Sequence, residues 1–243
     1  MSAERLAGAA RTTAIALAMG VAIAACAEPE SEPGAKREGG PEAEAEARGD
    51  LSPSFACDAP GLGEVELRIC ADPELAALDR RLDSVWQAVV ALAEANDVQG
   101  FDAVRAEQRG WLGGRDECWK ASGEARFAGL DEDEAIRRCI VGSYASRTTR
   151  LEVSWRLVDA TSGPVFWTCG GNPADEFVTT WYATSPEAVE VERGDAVEVF
   201  LRTPTASGTR YDGTFGRWFW AKGDSATFVW PQTDTLSCVA RSP

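Results

Sequence analysis

The sequence predicts a multidomain protein: a small disulfide-stapled all-α domain followed by a small antiparallel β-barrel. Three observations predict it. The hydrophobic period is helical across residues 56–157 and becomes two after Gly163-Pro164. Six of the seven cysteines divide between these segments, four in the first and two in the second. The chain has 243 residues, 44% of them hydrophobic, which suits one large domain or two small ones with packed cores.

Two segments precede the folded part. Residues 1–25 read as a secretion signal, with Arg5 and Arg11 ahead of an apolar, small-residue run at 12–25. That run is too short to span a bilayer and suits a signal peptide. Its end, Ile23-Ala24-Ala25-Cys26, resembles the bacterial lipobox. The resemblance implies cleavage before Cys26 and lipidation of that residue, the unpaired seventh cysteine. Ala27, where Asp is absent, implies outer-membrane sorting, with the chain facing the periplasm. Residues 26–55 form a lipid-anchored disordered tether rich in Pro, Gly, Glu and Ala. Such a segment buries too little to offset its ordering entropy, and spans up to ~95 Å when stretched.

In the helical domain, Leu75, Leu78, Leu82, Val85, Val89 and Leu92 step by three and four along one face. Asp72-Pro73 supplies the N-cap and first turn of that helix. A second helix starts near Phe101, with Val104, Gln108, Trp111, Arg115 and Cys118 on its stripe and Gly113-Gly114 weakening it. A third starts at Asp131, with Glu134 in capping-box relation and Ile136, Ile140, Tyr144 and Leu151 at helical spacing. In an oxidising compartment Cys57, Cys70, Cys118 and Cys139 pair. Nearest-neighbour pairing gives Cys57–Cys70 and Cys118–Cys139, each worth roughly 3 kcal/mol, though other connectivities remain open. A metal site is disfavoured, since the four show no C-x-x-C spacing.

The runs PSFACDAPGLGEVELRICADPELAALDRRL, AEQRGWLGGRDEC and CIVGSYASRTTRLE resemble the LprI-type domain, also described as domain of unknown function 1311. The resemblance implies a disulfide-stapled helical hairpin or bundle, with some members linked to lysozyme inhibition. Gln108 and Arg115 match its signature. They are read as a structural network, with Arg115 pairing with Asp79 or Asp83 or satisfying buried carbonyls.

In the barrel domain, residues 163–243, alternating segments start at Val165, Glu176, Ala188, Val197, Arg217, Ala226 and Leu236. Turns recur every 8–12 residues, as in a sandwich or barrel. Cys169 lies on the first strand and Cys238 on the last. A bridge between them suits a closed barrel and adds about 4 kcal/mol through its loop of about 70 residues. Two stretches read as turns: 205–211 and 219–226.

Together those stretches, SGTRY and FWAKGDSATF, resemble the family of membrane-bound inhibitors of c-type lysozyme. The resemblance implies that Ser207 and Lys222 form an inhibitory pair on loops that enter a lysozyme's cleft. Tyr211 and Trp220 are read as core or loop support.

Charge bears on the partner. There are 24 Lys+Arg against 39 Asp+Glu, a formal net charge of −15. That argues against nucleic acid and favours a basic partner, which a c-type lysozyme would be. The chain has no histidine, which excludes Ser-His-Asp and Cys-His catalysis and histidine-ligated metal. No catalytic residue, metal or cofactor is expected. The alternative to an inhibitor is an envelope binding module that recognises peptidoglycan fragments or another envelope protein.

Overall fold

A computed structural model describes residues 52–96, 101–230 and 235–241, without the side chains of 172–174. The signal segment 1–25, Cys26 and the tether up to residue 51 lie outside the described residues. Among the described residues, no helix is long and apolar enough to cross a membrane.

The helical part begins with α1, Glu64–Ala71, whose Val65 and Ile69 are buried. The Gly63 N–H donates to the Glu66 carboxylate at 2.7 Å and so fixes its start. α2, Pro73–Ala95, starts as its sequence predicts: the Asp72 carboxylate accepts the N–H groups of Glu74 (2.8 Å) and Leu75 (3.4 Å). Its stripe buries Leu75, Leu82 and Val89, but Leu92 is exposed and Ala93 is buried instead. A strict seven-residue step drifts by ~20° per heptad on a straight helix, which turns the last leucine outward.

α3, Phe101–Asp116, runs through Gly113-Gly114 and passes into a 3₁₀ turn, Glu117–Lys120, and α4, Ala121–Ala128. α5, Glu132–Ser154, buries Ile136, Ile140, Tyr144 and Leu151 as expected. The Asp131 carboxylate accepts the Glu134 N–H at 2.7 Å, while the Glu134 carboxylate takes Arg138 Nε at 2.7 Å. The disulfides join Cys57 to Cys70 and Cys118 to Cys139, which closes the question of connectivity.

A polar chain runs through this core. Arg115, 3% exposed, donates to the Tyr144 hydroxyl at 3.0 Å, and Tyr144 donates to Asp79 at 2.7 Å. Ser54 donates twice to the other Asp79 oxygen, at 2.6 Å each. Burial pushes the Tyr144 hydroxyl pKa up, so it stays a donor. Arg115 therefore reaches Asp79 through a tyrosine and bonds directly to Asp116 and Glu66 rather than to Asp83. Gln108 accepts from Arg147 Nε at 2.8 Å. Both polar residues of the second-helix stripe thus belong to a structural network.

The second part is a closed barrel of eight antiparallel strands in sequence order. They are β1 Ser162–Cys169, β2 Asn172–Tyr182, β3 Ala188–Arg193, β4 Ala196–Thr203, β5 Thr209–Asp212, β6 Trp218–Lys222, β7 Ser225–Val229 and β8 Leu236–Ala240. Closure occurs between β1 and β8, where Cys169 faces Cys238 and the two are disulfide-bonded. Inward positions supply the core: Trp167, Phe177, Val189, Val191, Phe200, Phe219 and Phe228. Phe177 and Phe228 stack at 4.0 Å and Phe228 and Phe219 at 4.5 Å, which fills a narrow interior. The first three of the four β5 residues lie in the stretch 205–211, which reads as a turn in the sequence. β5 is only four residues long, and Tyr211 is its buried member.

The end of α5 lies against the outer face of β2–β4. Val153 packs with Tyr182, Ala188 and Val199. Arg156 forms two bonds to Glu190, at 2.7 and 2.8 Å, and one to the Tyr182 hydroxyl at 2.8 Å. Arg150 donates to the Val199 carbonyl. Glu190, an outward position, is thereby 3% exposed and neutralised.

Candidate functional site

In an up-and-down barrel, successive turns alternate between the two ends. The connections 183–187, 204–208 and 223–224 therefore share one end, and 194–195 and 213–217 the other. Ser207 lies on the β4–β5 connection and Lys222 is the last residue of β6, so both belong to the first end. The register brings them closer still. Thr209 faces Ala221 and Lys222 faces Ser225, which places the Ser207 turn beside the β6–β7 hairpin.

The local geometry holds this arrangement. The Trp220 indole N–H donates to the Ser207 carbonyl at 2.9 Å, and the Thr205 hydroxyl donates to the same oxygen at 3.4 Å. Gly208 has φ +67°, a left-handed conformation that glycine adopts without cost. A Cβ there would lie 2.6 Å from both the Ala221 carbonyl oxygen and Trp220 Nε1. The turn thus packs its backbone directly on β6.

Ser207 and Lys222 are exposed. Among the described residues, the Lys222 ammonium has no carboxylate partner within 4.0 Å, and the Ser207 hydroxyl makes no hydrogen bond. Two side chains of complementary chemistry, a hydroxyl and a cation, are therefore presented to solvent at one end without internal partners. Beside them, Trp220, Lys222, Ser225, Thr227, Ser237 and Val239 line a surface groove of about 360 Å³.

The supporting aromatics divide as their positions dictate. Tyr211 is 3% exposed and belongs to the core, and its burial raises its hydroxyl pKa. Trp220 faces outward at 36% exposure and supports the loop. Its hydrogen bond to a backbone carbonyl 13 residues away leaves no trace in the sequence pattern. Cys57, Cys70, Cys118, Cys139, Cys169 and Cys238 are all in disulfides, and Cys26 lies outside the described residues. Among the described residues, no cluster of three or more His, Cys, Asp or Glu side chains could hold a metal.

Comparison with known proteins places both halves. Residues 167–237 match the family model described as "Membrane-bound lysozyme-inhibitor of c-type lysozyme". Residues 57–158 match the model described as "Lysozyme inhibitor LprI". An uncharacterized protein of Rhizobium meliloti (strain 1021) is 30% identical over 102 residues, covering 37% of this chain and 73% of that relative. Residues 57–158 of the chain therefore belong to the LprI family and residues 167–237 to the family of membrane-bound inhibitors of c-type lysozyme.

Proposed function

We propose that the protein is a non-catalytic lipoprotein of the bacterial envelope that inhibits c-type lysozyme by inserting the Ser207 and Lys222 turns into the enzyme's cleft. The observation that carries this reading is the placement, at one barrel end, of a hydroxyl on the β4–β5 turn and an ammonium at the end of β6, neither with a partner among the described residues.

The chemistry fits the target. A retaining glycosidase has two carboxyl groups about 5–5.5 Å apart. In lysozyme one is protonated, with its pKa raised to about 6, and the other is ionised. A serine hydroxyl accepts from the acid and donates to the carboxylate at once. An ammonium beside the ionised group adds up to about 4 kcal/mol gross at 4 Å and an effective dielectric near 20, less after desolvation. No bond is cleaved, so the pair needs no nucleophile and no cofactor.

On this reading Cys26 carries the lipid, and the segment before residue 52 lets the barrel reach enzyme arriving near the membrane, on the periplasmic side of the outer membrane. Residues 52–55, expected to be tether, belong instead to the helical part, since Ser54 bonds to Asp79 and Phe55 packs against its core. The barrel domain has ten acidic against six basic residues, which favours a basic enzyme without steering it strongly. The test is a titration of c-type lysozyme with the purified full chain. Inhibition at or below micromolar protein is expected, weakened in Ser207→Ala and Lys222→Ala with unchanged thermal melting. Retention on peptidoglycan without inhibition would instead favour the envelope binding module.

A further inference from the structure

We propose that Trp220 is a positioning residue that fixes where the Ser207 hydroxyl is presented beside β6. The inference rests on the assignment of that pair above. Trp220 and Lys222 are two residues apart on β6, so both side chains leave the outer face of the same strand. Phe219 and Ala221 between and beside them pack inward. The strand that carries the ammonium therefore also carries the indole that holds the serine turn.

The hold is specific to one atom. Trp220 Nε1 donates to the Ser207 carbonyl at 2.9 Å, well inside the range of a full hydrogen bond. Thr205, the other donor to that oxygen, stands at 3.4 Å and comes from the same loop, so it cannot tie the loop to β6. Gly208 closes the contact: the space a Cβ would need is taken by the indole nitrogen and the Ala221 carbonyl, each 2.6 Å from that point. An exposed turn of small residues is ordinarily free to sample many conformations. Here its backbone is pinned to a rigid strand next to the cation, before any target is met. A target with two carboxyl groups at fixed separation rewards this, because a preset position avoids the ordering cost on binding.

The mechanism makes a distinctive demand. Trp220 acts through Ser207, so removing its N–H matters only while the serine hydroxyl is there to be placed. The test is a double-mutant cycle read as inhibition constants of the full chain against c-type lysozyme. Trp220→Phe keeps an aromatic ring and loses the donor. It is expected to weaken inhibition about fivefold in the wild-type and Lys222→Ala backgrounds. In the Ser207→Ala background the expected change is less than about twofold. Amide exchange at residues 207–209 is expected to quicken in Trp220→Phe while β6 keeps its protection. An equal penalty in the Ser207→Ala background overturns the proposal, since Trp220 would then be a direct contact or a general stabiliser. Unchanged inhibition in Trp220→Phe overturns it too. Normal inhibition by Ser207→Ala itself removes the pair assignment, and this proposal with it.

Discussion

Gly208→Ala separates the two things that glycine does at the end of β4–β5. At φ +67° an L-residue costs about 1–2 kcal/mol. The added Cβ also meets the Ala221 carbonyl and the Trp220 indole at 2.6 Å, and forced overpacking costs about 1–3 kcal/mol. Keeping the turn in place would thus cost about 2–5 kcal/mol. Releasing it sacrifices one neutral hydrogen bond, worth about 1 kcal/mol. The turn is therefore expected to lift off β6; with the φ cost of about 1–2 kcal/mol still borne, the net destabilisation is about 2–3 kcal/mol. The matched control is Gly194→Ala in the β3–β4 turn. Its φ is +56°, no atom lies within 4 Å of the Cβ position, and it sits at the opposite barrel end. That variant bears the conformational cost alone. At about 2–4 °C per kcal/mol for a folded unit of this size, both should melt a few degrees lower, Gly208→Ala the more so. Inhibition titrations then decide: Gly208→Ala weakens inhibition about tenfold or more, and Gly194→Ala leaves it unchanged. Equal inhibition by the two variants would refute the argument that the packed turn places the serine.

Other perturbations test the remaining structure. Tyr144→Phe removes the hydroxyl between Arg115 and Asp79 and should cost about 1–3 kcal/mol in denaturant titration, with inhibition intact. Burial pushes the Asp72 carboxyl up, but the Arg137 guanidinium and the N–H groups of Glu74 and Leu75 outweigh it and hold its pKa below the usual value. Its stabilisation is therefore present above the ordinary carboxylate range and lost as pH falls through its lowered pKa. Asp72→Asn should lower the melting temperature at pH 7, by an amount that shrinks as pH falls below the ordinary carboxylate range. If inhibition is steered by the chain's −15 charge, its on-rate falls as salt shortens the Debye length from about 30 Å at 0.01 M to about 8 Å at 0.15 M, while the off-rate changes less.

The barrel's order and closure are legible because cysteines stand on its first and last strands and its inward residues alternate. β5 hides because four residues with one buried side chain do not make a periodic signal. α1 and α4, eight residues each, hide for the same reason. Leu92 misleads because a heptad is not the true helical repeat. Glu190 sits at a position that alternation assigns to solvent, and Arg156, in the turn that follows α5, pairs with it there. Of the candidate site, Ser207 and Lys222 are proposed from the paired motifs, while their shared barrel end and the indole clamp depend on strand register. Register follows from the whole sheet and not from the local stretch.

The most direct measurement is the binding of the full chain to c-type lysozyme with and without a saturating chitooligosaccharide in the cleft. Occupation of the cleft by the Ser207 and Lys222 turns predicts that the sugar raises the apparent dissociation constant in proportion to its concentration. Binding that is indifferent to the bound sugar would contradict it.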